Sequence, residues 1–162
     1  MTVLSFVERW ISVTTTVVVM TLSLVGLVFF FSFDATSKQG ELHQAVLNGK
    51  VVQLEIADEP DEITQGLSDR ESMPRGHGML FVLEPAGVYP FWMNRMHFPL
   101  DIIWINGGVV VDVVTLPPPK VGELPATHRP NVVADRVLEL NAGESTVYGL
   151  RIGQTVDGLE DF

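Results

Sequence analysis

The hydrophobic pattern divides the chain at Asp34. From Ile11 to Phe33 no charged residue interrupts a run rich in Val, Leu, Phe and Thr. A helix of that length rises roughly 34 Å, enough to cross a hydrocarbon layer of about 30 Å. A transmembrane helix over residues 11–33 is therefore predicted, with Trp10 at the end where an interfacial indole belongs. Its threonine hydroxyls can bond back to helix carbonyls instead of standing unpaired in lipid. A cleavable signal peptide needs small residues ahead of its cut site, and Phe33 fills such a position, so an uncleaved signal anchor is expected.

Beyond Asp34 the apolar runs shorten and alternate. Residues 1–10 form a short N-terminal segment, the polar residues 34–44 a tether, and 45–162 one domain. Val51 to Ile56 alternates as a half-buried strand after an Asn48-Gly49 turn. Glu62 to Arg70 is predicted to make one or two helical turns, capped by Asp61 or the residues after it. Ser72 to Gly78 is a loop leading into a strand, Met79 to Leu83, that Glu84-Pro85-Ala86-Gly87 turns back. Val88 to Met93 is aromatic and strand-like. Leu100 to Ile105 is a nearly continuous apolar run holding Asp101, and Asn106-Gly107-Gly108 makes a hairpin turn into Val109 to Thr115. Leu116 to Pro130, rich in proline, is expected to cross the surface and to edge a binding site. Arg136 to Leu140 is another strand, Glu144 to Leu150 a short helix, and Arg151 to Val156 a last strand or extended tail. The pattern is that of a mainly β domain with one or two short helices behind one transmembrane helix.

Composition narrows the function classes. The formal net charge of −10 falls entirely after the apolar block, because Glu8 and Arg9 cancel. Nucleic acid is not expected as a partner, since phosphate binding needs clustered Lys and Arg. The absence of cysteine excludes disulfides, thiolate nucleophiles and Cys-ligated metals. The α-amine and Arg9 precede the apolar block and Asp34 follows it, so the positive-inside tendency places the N-terminus in the cytoplasm and residues 35–162 outside.

Five sequence blocks carry a family resemblance. Gly66-Leu67-Ser68-Asp69-Arg70, Gly78-Met79-Leu80-Phe81, Phe91-Trp92-Met93, Pro99-Leu100-Asp101-Ile102 and Val137-Leu138-Glu139-Leu140-Asn141-Ala142-Gly143 together resemble the family called domain of unknown function 192. The resemblance spans nearly all of Val46 to Val156 and implies a compact, mainly β domain of sandwich or jelly-roll type. It implies no reaction. The family's common Phe-Trp-Met-Lys-Asn-Thr run stands here as Phe91-Trp92-Met93-Asn94-Arg95-Met96, so no role tied to that Lys or Asn is carried over.

Five residues are candidates for chemistry: Arg70, Trp92, Arg95, Asp101 and Glu139. Asp101 sits among apolar neighbours and either faces solvent or has a partner that offsets its desolvation, whether Arg70, Arg95 or backbone amides. Alternatively, Arg70 and Arg95 form a fork for a planar anion with two aromatics nearby, while Trp92 and Trp104 either stack on a sugar ring or belong to the core, as large strand aromatics more often do. Phe91, Met93 and Met96 are assigned to the core or its rim. His77, His97 and His128 with Asp101 would supply metal ligands, but their spacing matches no ligand pair, and no metal or other cofactor is expected. No phosphate-cradling Gly-rich loop and no G-x-S-x-G elbow occurs. The expected function is a small-ligand or protein binding module. Two alternatives stand beside it: a carbohydrate hydrolase using Asp101 and Glu139 as its carboxylate pair, or a purely structural part of a membrane assembly.

Overall fold

The computed structural model describes residues 40–159 and 161–162. The predicted transmembrane segment, Ile11 to Phe33, lies outside them. Among the described residues no helix is long and apolar enough to cross a membrane.

Strands β1 (Leu42–Leu47) and β2 (Lys50–Ala57) lead to helix α1 (Pro60–Gln65), followed by β3 (His77–Gly87), β4 (Phe91–Trp92), β5 (Leu100–Asn106) and β6 (Val109–Leu116). β7 (Thr127–His128), β8 (Ala134–Asn141) and α2 (Glu144–Val147) complete the order. Six strands form one sheet in the order β1-β2-β3-β8-β5-β6, and β4 pairs with β7 in a separate ribbon. The domain is mainly β with two short helices, as the sequence pattern predicts.

Two features depart from the jelly roll that the resemblance implies. β2 and β3 pair in parallel, because α1 and the loop after it carry the chain back to the starting end of the sheet before β3 begins. The second layer of a sandwich is reduced to Phe91–Trp92 against Thr127–His128, since proline and irregular loops flank both pairs. Glu84 to Gly87 does not turn the chain back. β3 runs through it, with a register shift between Val82 and Gly87 that keeps Gly87 opposite Ala134. β1 also takes in Leu42 to Gln44, assigned above to the tether.

The sheet is covered on both faces, and this explains why β5 is almost continuously apolar. Ile103 and Ile105 point to one core cluster with Leu54, Leu80, Leu138 and Leu140, roofed by Tyr148, Leu150 and Val156. Leu100, Ile102 and Trp104 point to the other, with Met79, Phe81, Val137, Leu67 and Met93. The tail after α2 is held by a bridge between Thr155 and Val109. On the second face Phe91 clamps the ribbon down, edge-on to Phe81 at 4.9 Å and to Trp104 at 5.9 Å between ring centroids. The Trp104 indole donates to the Tyr89 carbonyl at 3.2 Å. Gly78 is required where β3 crosses this centre, because a Cβ there would lie 2.7 Å from the Glu139 carbonyl oxygen.

Candidate functional site: a cavity over Glu139

β8 lies between β3 and β5, and Glu139 stands opposite Met79 on one side and Ile102 on the other. That register points its side chain into the second, largely apolar face. Glu139 is 5% exposed, and among the described residues no hydrogen bond reaches its carboxyl. Burial pushes the carboxyl up to about 8, against the opposing attraction of the Arg70 guanidinium. At neutral pH it is therefore an uncharged acid, able to donate one hydrogen bond and to accept others.

Above it lies a cavity of about 30 Å³ bounded by Gln65, Gly66, Phe91, Trp92 and Met96 as well as Glu139. A water molecule needs about 10–15 Å³ of such space, so the cavity admits a water or one small polar head group. Trp92 is 57% exposed and forms the outer edge.

The roof of the cavity comes from the end of α1. Pro60 opens the helix and Gly66 closes it, its backbone N–H bonding to the Glu62 carbonyl at φ +50°. A Cβ on Gly66 would lie 3.3 Å from the Phe81 ring, so glycine lets the chain turn directly over the site. Leu67 then enters the core and Arg70 reaches back to Glu55 through two hydrogen bonds of 2.5 and 2.8 Å. Burial raises the Glu55 carboxyl, but the hydrogen bonds and charge of Arg70 outweigh it and hold it below its ordinary value. A second cleft, about 170 Å³, opens beside this pair and shares Gln65 and Gly66 with the cavity.

Arg95 and Asp69 form a strap across the same region. Arg95 Nε donates to both Asp69 oxygens at 2.9 Å, and the Asp69 N–H donates to the Arg95 carbonyl at 2.9 Å. Both residues have left-handed backbones, at φ 54° and 66°. The hydrogen bond from Arg95 leads the influences that lower the Asp69 carboxyl.

Asp101 belongs elsewhere. It lies opposite Leu140, one position out of phase with Glu139, and therefore on the other face of the sheet. Its Oδ2 accepts from the Gly143 and Ser145 N–H groups at 2.8 and 2.9 Å, and its Oδ1 accepts from the Thr115 hydroxyl at 2.6 Å. This carboxylate caps α2 from a distance, where Gly143 makes no side-chain cap. Neither arginine pairs with it. Asp101→Ala is expected to cost about 2–3 kcal/mol in urea unfolding, because two amide donors lose their acceptor. Asp101→Asn, which keeps one acceptor oxygen, should fall in between, and an alanine variant within 0.5 kcal/mol of wild type would refute the capping role.

The sequence-predicted residues thus separate. Trp92 and Glu139 line the cavity, Arg70 lines the adjoining cleft and acts on Glu139 through its charge, Arg95 reaches the cavity only through Gln65, and Asp101 is excluded. The anion fork fails because Arg70 is committed to Glu55 and Arg95 to Asp69. The hydrolase pair fails because Asp101 and Glu139 face away from each other across the sheet. Trp104 is fully buried and offers no stacking surface. Among the described residues no group of three His, Asp or Glu side chains is placed to hold a metal ion.

The family profile of DUF192, described as an uncharacterized ACR, matches residues 43–158. The chain belongs to the DUF192 family. No curated protein matches it. Its fold is similar to that of a protein of unknown function from Novosphingobium aromaticivorans, at 24% identity and TM-score 0.63, over 75% of this chain and 89% of that one. It is also similar to a protein from Sinorhizobium meliloti described as a candidate transcription regulator, at 26% identity and TM-score 0.58, over 71% and 90% of the two chains. In this DUF192 domain the Gly66 to Arg70, Phe91 to Met93 and Val137 to Gly143 blocks meet at the Glu139 cavity.

Sequence reasoning missed Glu55 and Gln65. Glu55 sits in an alternating strand where a polar residue is expected to face water, and nothing local signals that Arg70 draws it inward. Gln65 accepts from Arg95 at 3.3 Å and donates to the Ser68 carbonyl at 3.0 Å, contacts that only the turn at Gly66 creates.

Proposed function

We propose that the DUF192 domain is a binding module for a small polar ligand, displayed outside the cytoplasm on a single-pass anchor formed by residues 11–33. The observation that carries the binding reading is Glu139: a carboxyl without a hydrogen-bond partner among the described residues, at the floor of a cavity edged by an exposed tryptophan. Buried polar groups are normally satisfied, and a ligand group is one way to satisfy this one. Arg70 and Glu55 hold the adjoining cleft, which shares Gln65 and Gly66 with the cavity, while Trp92 offers apolar contact at the mouth. The S. meliloti protein's description does not favour a nucleic-acid role here, because a chain of net charge −10 repels phosphate.

A thermal-shift screen of the full chain tests the binding reading, since a ligand at one hundred times its Kd stabilises the native state by about 2.7 kcal/mol. At least one small polar compound is expected to raise Tm in the wild type and not in Glu139→Gln. Trp92→Ala, a change at an exposed site, should leave the unliganded Tm nearly unchanged and reduce the ligand-induced shift. A broad library with no Glu139-dependent shift would end the reading. The topology has its own test: a reporter active on only one side, fused to Phe162, is expected to work outside the cytoplasm, and cytoplasmic activity would overturn that placement.

A further inference from the structure

Resting on the binding reading above, we propose that the Glu139 cavity is the head-group site for a primary alkylammonium ligand, whose hydrocarbon chain lies in the adjoining groove lined by Leu83, Tyr89, Pro90 and Trp92.

Among the described residues an anion finds no free cation at the cavity, because Arg70 is held by Glu55 and Arg95 by Asp69. It would also approach a chain of net charge −10. A neutral group can hydrogen-bond with Glu139 but supplies no counter-charge. An ammonium supplies the counter-charge that ionisation calls for: it donates up to three hydrogen bonds to the ionised carboxylate, which has none among the described residues. Phe81, Phe91 and Trp92 line the same cavity, and aromatic π-systems attract cations. The acidic surface raises the local concentration of such ligands.

Size selects the kind of ammonium. The cavity of about 30 Å³ fits a primary ammonium head better than a bulkier quaternary one. Beside it a groove of about 210 Å³ shares Ile63, Phe91 and Trp92 with the cavity wall. A short alkyl chain leaving the head group has apolar contact there.

The same geometry couples binding to protons. The charged and titratable groups around the site are Arg70, paired with Glu55, which His77 also influences; the Asp69–Arg95 strap, with His97 acting on Asp69; Asp61 and Glu62 at the adjoining cleft; and Glu84 at the groove. None is a free counter-ion for Glu139, so the ammonium binds the ionised form and the displaced proton goes to solvent. Because Glu139 is mostly protonated below pH 8, affinity is expected to rise about tenfold per pH unit up to that point and then level off. An alkylamine, with a pKa near that of lysine at about 10.4, stays cationic throughout.

Isothermal titration of the full chain with n-butylammonium, n-butanol, sodium butyrate and tetramethylammonium, at matched ionic strength from pH 6 to 9, tests this. Only n-butylammonium should bind, with the stated pH dependence. Glu139→Gln should abolish both binding and its pH dependence, and Trp92→Ala, which leaves the core intact, should weaken n-butylammonium several-fold. Glu139-dependent binding of butanol or butyrate instead would overturn the ammonium assignment while the binding module stands. n-Butylammonium binding that is independent of pH and unchanged in Glu139→Gln would show general charge screening and also overturn it. If neither these compounds nor the wider library shifts the protein, both readings fall.

Discussion

Arg70→Met is expected to destabilise the domain by about 3–5 kcal/mol, the loss seen when one partner of a buried ion pair is removed and the other is left uncompensated. The Glu55 side chain is 5% exposed and that of Arg70 is 17%, so water cannot replace the guanidinium at little cost. What remains for Glu55 is the hydrogen bond from the Gly40 N–H at 2.9 Å. The double variant Glu55→Met/Arg70→Met removes the stranded charge and should recover most of the loss, because apolar side chains of similar volume replace buried ion pairs with little penalty. Urea unfolding of the two variants decides the matter. An Arg70→Met protein as stable as wild type, or a double variant no better than the single one, would show that the pair does not hold the loop after α1. The pair also has a pH signature. The Glu55 carboxyl is lowered by Arg70 in the fold, so its contribution is present above the ordinary carboxylate value and is lost as pH falls through the lowered one. In Arg70→Met that acid-side loss should disappear.

The sequence displays the strands of this domain because their pattern is local. The Asn106-Gly107-Gly108 hairpin, the apolar run of β5 and the alternation of β2 each announce themselves within a few residues. The sheet order is less accessible. Whether β3 pairs with β2 in parallel depends on how α1 returns the chain, and α1 covers only Pro60–Gln65, too short to fix a crossover by its own periodicity. The site follows the same division. That Glu139 belongs to a strand is visible, and so is its position between Leu138 and Leu140. That both faces of β8 are covered is a property of the assembled sheet, and this coverage makes the Glu139 carboxyl a buried acid. Asp101 shows the converse. An acid inside an apolar run attracts a functional interpretation, yet its partners are the amides of Gly143 and Ser145, more than forty positions away. Arg95 and Asp101 lie in one short stretch and satisfy different groups on different faces, which proximity along the chain cannot reveal.

The buried acid at position 139 gives the second large effect, one that appears only when pH is varied. In the unfolded chain Glu139 titrates near its ordinary value of 4.5, and in the fold near 8. Between these values the folded state holds a proton that the unfolded state has released, so this group's stabilisation is complete below about 4.5 and declines as pH rises towards 8. The decline approaches about 1.4 kcal/mol per pH unit and totals roughly 4 kcal/mol across the window. Glu139→Gln keeps the shape and has no proton to lose. The stability of the wild type minus that of the variant should therefore fall steadily from pH 5 to 8, leaving the glutamine protein the more stable one at the alkaline end. Taking the difference cancels the opposite, acid-side trend of Glu55, which both proteins share. A difference that stays flat over this range would mean that Glu139 ionises normally, in contact with water or with a counter-charge, and the case for a vacant acid in the cavity would fail with it. A difference that falls only until an alkylammonium salt is added, and is then flattened, would tie the cost of ionising Glu139 to the absence of the ligand.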